Sequence, residues 1–140
     1  MRSTASLTEA LSGFAPAEGM MTTAQQVAHA ARVIDWLVEG TFRAEGFDMN
    51  FDEQIQQVLA IRSLSVARAW FEAAVANATS VLAAKTDEEL SSLLPHGGVM
   101  GGLPRLAIIS AITDHTAHHR GALTAYARVN GIVPPDPFGM

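Results

Sequence analysis

Apolar residues recur at helical spacing through most of this chain, and this pattern constrains its fold more than any other feature. Between residues 51 and 84 the series is nearly continuous, and no segment of alternating strand period competes with it. Twenty-four alanines against six prolines also favour helix, because alanine loses no side-chain entropy when a helix forms. The length of 140 residues suits one buried core. We therefore predict an all-α fold, a bundle with four main helices in a single domain over residues 1–140.

Capping residues divide the first half of the chain into helices. Thr22 or Thr23 is the predicted N-cap of a helix that runs to Gly40. The series over residues 51–84 is long for one globular helix, and Ser63 or Ser65 offers a new N-cap within it. We expect a shorter helix, a kink, and then a long helix.

Glycine and proline mark the ends of the remaining segments. A short helix is expected over Ser3 to Gly13, with leucines on one side. Residues 95–102 contain four glycines, which indicates an irregular connection or a lid. The last helix is predicted to begin at Pro104 and to end at Asn130-Gly131.

Charge and targeting patterns limit the partners of the protein. Nine basic against fourteen acidic side chains give a net charge of −5, which argues against nucleic acid as a partner. No basic start followed by an apolar core is present near the N-terminus, and no stretch resembles a membrane span. We expect a cytoplasmic protein with no membrane partner.

Cysteine is absent from the sequence, whereas five histidines are present. The absence of cysteine excludes a disulfide framework, a thiolate zinc site, an iron–sulfur cluster and a cysteine nucleophile. Any metal chemistry must therefore use histidine and carboxylate.

Three of the histidines lie close together in the last predicted helix, in the segment DHTAHHRG over residues 114–121. His115 and His119 are four residues apart, so both can point at one ion. They also continue the apolar stripe of this helix, so both should face the bundle interior. Two buried imidazoles without partners would cost about 1–3 kcal/mol each, and a divalent cation removes that cost. His118 lies about 100° round the helix from His119. This position predicts either a surface residue or a residue that contacts one of the metal ligands without binding the metal itself.

His29 is the expected third ligand, because it also heads an apolar stripe on its own helix. Three histidines from two facing helices would leave coordination positions open for water or substrate. The alternative is a core histidine hydrogen-bonded to a carbonyl group. Asp114 could orient a ligand ring or be a solvated carboxylate, and Tyr126 could place its hydroxyl near substrate or be a core residue. The sequence identifies no catalytic acid or base.

These residues resemble the DinB/YfiT-like superfamily. The resemblance extends from about Met20 to Pro135, and it rests on His29 in the segment TAQQVAH and on DHTAHHRGAL over residues 114–123. It implies a four-helix bundle with up-down-down-up topology, commonly a homodimer. It also implies a divalent metal ion, with zinc or nickel among the metals, held by His29, His115 and His119. One departure is Ala122, which replaces the glutamine that often follows the Arg-Gly step.

Some relatives are thiol-dependent transferases or isomerases that use bacillithiol or mycothiol, and others have no known activity. The resemblance therefore implies a metal-dependent transferase or hydrolase that acts on a small molecule, with a low-molecular-weight thiol as a candidate partner. Because the chain has no cysteine, the sulfur would have to arrive with the substrate. Two alternatives stay open: a non-catalytic metal-binding or stress-related protein with a structural ion, and a helical dimer whose histidines bind nothing.

Overall fold

The structure is a computed structural model, and it describes residues 4–136. It contains α1 (Thr23–Phe42), α2 (Phe51–Leu59), α3 (Leu64–Ala83), α4 (Asp87–Ser91) and α5 (Ile108–Val129). Two short 3-10 turns cover Glu9–Leu11 and Arg105–Ala107. Over these described residues there is no β-strand, so the prediction of an all-α fold is confirmed.

Side-chain caps set the helix boundaries in the first half of the chain. Thr22 accepts a hydrogen bond from the backbone N–H of Gln25, whose side chain in turn accepts from the N–H of Thr22. This capping box satisfies two of the N–H groups that a helix start leaves without partners. Ser63 caps α3 in the same region where the sequence predicts a break, and α2 has already ended at Leu59. The predicted division of the 51–84 series is therefore confirmed.

Helix α1 is the central element, with thirteen of its twenty residues buried. It contacts α2, α3 and α5, which surround it. Small side chains permit this close packing: Ala24, Ala28 and Ala31 have no exposed surface. Two apolar clusters form along α1, one around Val27 and Ala28 and one around Ala31 and Ile34. Because α1 is enclosed by other helices, polar side chains on its inner faces must find partners within the protein.

The N-terminal segment differs from its prediction. Within the described part of Ser3 to Gly13 there are 3-10 and other turns, and no α-helix forms. The carbonyl groups of Ser12 and Phe14 accept hydrogen bonds from the N–H groups of Ala24 and Thr23 at the start of α1. The segment therefore uses its backbone to satisfy two N–H groups in the first turn of α1.

The last helix starts later than predicted. Pro104 is extended and pairs with Leu93, so that a 3-10 turn precedes the α-helix at Ile108. The end is close to the prediction, because α5 stops at Val129 and Gly131 follows with φ +73°. Among residues 4–136, no helix is both long and apolar enough to cross a membrane.

Candidate metal centre

Three histidine side chains meet between α1 and α5. His29 comes from the first half of α1, and His115 and His119 come from successive turns of α5. One ring nitrogen from each lies within 4.8 Å of the other two. The ring centroids of His29 lie 5.2 Å from His115 and 4.9 Å from His119. The structure therefore brings together the three residues that the sequence singles out as ligands.

The spacing of the two α5 nitrogens fits a bound divalent ion. The Nε2 atoms of His115 and His119 are 3.2 Å apart. Two histidine nitrogens bound tetrahedrally at 2.0–2.1 Å from zinc would be separated by about 3.3 Å. The donor set also fits, since neutral imidazole suits zinc and nickel. His29, His115 and His119 are therefore the residues that would hold the ion.

The environment keeps all three rings neutral, which is the form that binds a metal. Burial lowers the pKa of His29, and the charge of His118 lowers it further. Burial, with the charges of His29 and His118, lowers the pKa of His115 to about 4, against an opposing effect of Asp114. Burial and the three neighbouring histidines lower the pKa of His119 to about 3. At neutral pH every ring therefore offers a lone pair.

The rings differ in what fixes their orientation. His119 is only 7% exposed, and its Nδ1 atom lies 2.6 Å from Oε1 of Gln26 on α1. The Nδ1 atom of His115 is buried and has no hydrogen-bond partner among the residues that the structure describes. Within that part of the chain, His115 therefore has no counterpart of the amide that orients His119.

The other predicted site residues lie around the cluster. His118 is exposed, and its ring packs edge-on against His119 with centroids 5.0 Å apart. Asp114 is exposed and acts on His115 through its charge. Tyr126 is 2% exposed, and its hydroxyl group donates to the carbonyl group of Met21 at 2.8 Å. Tyr126 therefore lies in the protein interior, with its hydroxyl hydrogen donated to Met21.

Sequence reasoning missed Gln26, which contacts His119 directly. Its Nε2 atom lies 3.3 Å from the hydroxyl oxygen of Tyr126, so it links that residue to the cluster. Gln25 and Gln26 lie four and three residues before His29, so both share its face of α1 and no signal in the sequence singles out Gln26. Asp35, a carboxylate on α1, accepts a hydrogen bond from Nε1 of Trp70 at 2.8 Å.

A cavity of about 350 Å³ adjoins His29 between α1 and α2. Its lining is mostly apolar, with a few polar side chains. The lining residues are His29, Arg32, Val33, Trp36, Phe51, Asp52, Gln54, Ile55 and Val58. Its volume lies within the range typical of sites for small molecules.

Comparisons with known proteins agree with the resemblance in the sequence. The family model described as the DinB superfamily matches residues 2–123, which include all three histidines of the cluster. A comparison with curated proteins gives no match.

Proposed function

Because the chain belongs to the DinB superfamily, we propose that its three-histidine cluster serves a divalent-metal-dependent enzyme that acts on a small molecule. The reaction we propose is thiol-dependent transfer or hydrolysis, with zinc or nickel as the ion. The cluster itself supports metal binding, and the cavity beside it supports catalysis.

The cavity beside His29 is the observation that carries this proposal. A structural zinc site normally has four protein ligands and is closed, whereas a catalytic site has three and keeps one position open. Among residues 4–136, the cluster consists of three histidines with no cysteine or carboxylate added to it. Space for a substrate next to a three-ligand site is what an enzyme requires and a structural ion does not.

The side chains of the cavity define what it can do. A divalent ion held by the histidines would lower the pKa of a bound thiol or water and so supply a nucleophile at neutral pH. Trp36 and Phe51 both line this cavity, with ring centroids 5.8 Å apart, and their rings form an apolar wall. Such a wall binds the apolar part of a substrate and excludes water. The sulfur of a thiol reaction would come from a co-substrate, since the chain has no cysteine.

A structural ion is the second candidate function, and the position of the ligands favours it. His29 belongs to α1, whereas His115 and His119 belong to α5 near the other end of the chain. An ion would therefore cross-link two helices that are distant in sequence. In that case metal would raise stability, and no substrate would be turned over.

Metal analysis of protein purified without a polyhistidine tag tests both candidates against a site that binds nothing. After supply of Zn²⁺ or Ni²⁺, we expect one ion per chain in the wild type and a strong loss in His115→Ala. His96→Ala is the matched control, because His96 is exposed and lies outside the cluster. Less than about a tenth of an ion per wild-type chain, or equal loss in both variants, would contradict the site.

Thiol-conjugate formation with a panel of electrophiles then separates the enzyme from the structural ion. We expect product only with metal present and only with the His115 side chain intact. Activity that survives complete removal of metal would contradict the mechanism. Full metal occupancy without turnover of any electrophile would favour the structural ion.

We also propose a homodimer with helices in up-down-down-up order, a cytoplasmic location, and no nucleic-acid partner. Leu103, Leu106 and Ile109 support self-association, because each is close to half exposed within one short stretch of chain. Sedimentation velocity of the wild type and of Leu106→Asp tests it. A monomeric wild type would contradict the dimer.

A further inference from the structure

A chain of hydrogen bonds connects the backbone at the start of α1 with the ring of His119. The hydroxyl group of Tyr126 donates to the carbonyl group of Met21 at 2.8 Å, and Nε2 of Gln26 lies 3.3 Å from that hydroxyl oxygen. Oε1 of the same amide lies 2.6 Å from Nδ1 of His119. The side chains of Tyr126, Gln26 and His119 are all buried, so water does not compete for these bonds.

The direction of every bond in this chain is fixed at its Met21 end. A carbonyl group only accepts, so Tyr126 must donate its single hydroxyl hydrogen to Met21. The oxygen of Tyr126 must then accept from Gln26, which places the NH₂ group towards Tyr126 and the carbonyl oxygen towards His119. The opposite orientation of the amide would set two acceptors against each other at Tyr126. Because the amide oxygen also only accepts, Nδ1 of His119 must carry the ring hydrogen.

This assignment decides which nitrogen of His119 can bind an ion. A neutral imidazole carries one ring hydrogen, so with Nδ1 protonated the Nε2 atom keeps its lone pair. Nε2 is also the atom that faces the cluster, 3.2 Å from Nε2 of His115. We propose that Gln26 and Tyr126 are positioning residues that commit His119 to coordinate through Nε2 before any metal arrives. For metal affinity the proposal rests on the proposed function, whereas the position of the hydrogen does not.

Local structure explains how two helices build this arrangement. Gln26 and His29 are one turn apart on α1, so a single turn supplies one ligand and the group that orients another. The capping box between Thr22 and Gln25 fixes the entry of the chain into α1.

Nuclear magnetic resonance of the metal-free protein tests the hydrogen position directly. Long-range proton–nitrogen correlations of the histidine rings at neutral pH distinguish a hydrogen on Nδ1 from one on Nε2. We expect wild-type His119 to carry it on Nδ1. A hydrogen on Nε2, or an equal mixture of both forms, would overturn the proposal, and this result does not depend on whether the protein binds zinc.

Zinc affinity, measured by chelator competition on the untagged protein, tests the consequence. Removal of a group that orients a ligand typically lowers metal affinity by 10–100-fold, and we expect a loss of about that size for Gln26→Leu. Gln26→Glu keeps an acceptor oxygen for Nδ1 of His119 but removes the NH₂ donor to Tyr126, so its loss of zinc affinity should be smaller than that of Gln26→Leu. Tyr126→Phe leaves the Gln26 amide free to rotate into its opposite orientation. Its loss of zinc affinity should therefore be smaller than that of Gln26→Leu, and His119 should show mixed hydrogen positions.

Gln25→Leu is the matched control for a general loss of packing or stability. Gln25 is the buried neighbour of Gln26, and its Nε2 atom donates to the carbonyl group of Leu59, away from the histidines. We expect zinc affinity within about 3-fold of the wild type. Equal losses in Gln25→Leu and Gln26→Leu would overturn the proposal. If Gln26→Leu does not fold, the hydrogen position in the wild type and the Gln26→Glu and Tyr126→Phe affinities decide it. If the wild type binds no zinc, the proposed function fails while the hydrogen position still decides the inference.

Discussion

Zinc affinity between pH 7 and pH 5 tests whether the histidine cluster is as strongly desolvated as its geometry indicates. Protons compete with a metal ion for the ring nitrogens, so affinity falls as pH falls through the pKa of each ligand. Burial and neighbouring histidines lower the pKa of His115 to about 4 and of His119 to about 3. Both rings should therefore still be free of competing protons at pH 5, where an ordinary histidine is protonated.

The expected magnitude follows from these values. A histidine with an ordinary pKa of about 6.5 loses roughly 30-fold in metal affinity on moving to pH 5, so two such ligands would lose roughly 1,000-fold. His115 and His119 together should lose less than about 3-fold over the same range. His29 also has a lowered pKa, so its share is at most roughly 30-fold. The total loss should therefore stay below about 100-fold.

Chelator competition at pH 7, 6 and 5 measures this loss, once the protonation of the chelator itself has been subtracted. The ring proton resonances of the metal-free protein provide an independent reading, and those of His115 and His119 should not titrate above pH 5. A loss well above about 100-fold would require that one of these two rings takes up a proton in that range. A titration midpoint near pH 6.5 for either ring would refute the argument in the same way.

Two further predictions concern stability. Gly40→Ala would place a Cβ atom against the ring of Phe47, and overpacking of this kind should lower the free energy of unfolding in urea by about 1–3 kcal/mol. Gly13→Ala is the control, because nothing lies within 4 Å of a Cβ atom at that position. Similar unfolding midpoints for both variants would contradict the packing at Gly40. The metal-free protein should also lose stability as pH falls from 6.5 towards 4, because the unfolded chain then binds protons that His115 and His119 in the folded chain do not. This contribution to stability is fully present above pH 6.5. A midpoint temperature of thermal unfolding that stays constant or rises as the pH falls would count against it.

Local signals in the sequence predict most of the fold. The Thr22 cap, the break at Ser63 and the Asn130-Gly131 end are short patterns whose partners lie within a few residues, and the structure reproduces them. The segment before α1 could not be predicted in this way. Its Ser12 side chain accepts from the N–H of Leu64, a residue 52 positions away, and its backbone caps α1. Those contacts exist only after the helices have assembled, and they outweigh the weak helical pattern of an isolated segment.

The same distinction applies to the histidine cluster. His115 and His119 can be paired from sequence because their spacing is that of one helical turn. Gln26 lies 93 positions from His119, and no local pattern connects them. Its neighbour Gln25 shows how little the sequence alone distinguishes. Both are buried glutamines at the start of α1, yet Gln25 completes a helix cap and Gln26 contacts His119. A rotation of about 100° around α1 separates the two roles, and only the packing of α5 against α1 decides which glutamine contacts the histidines.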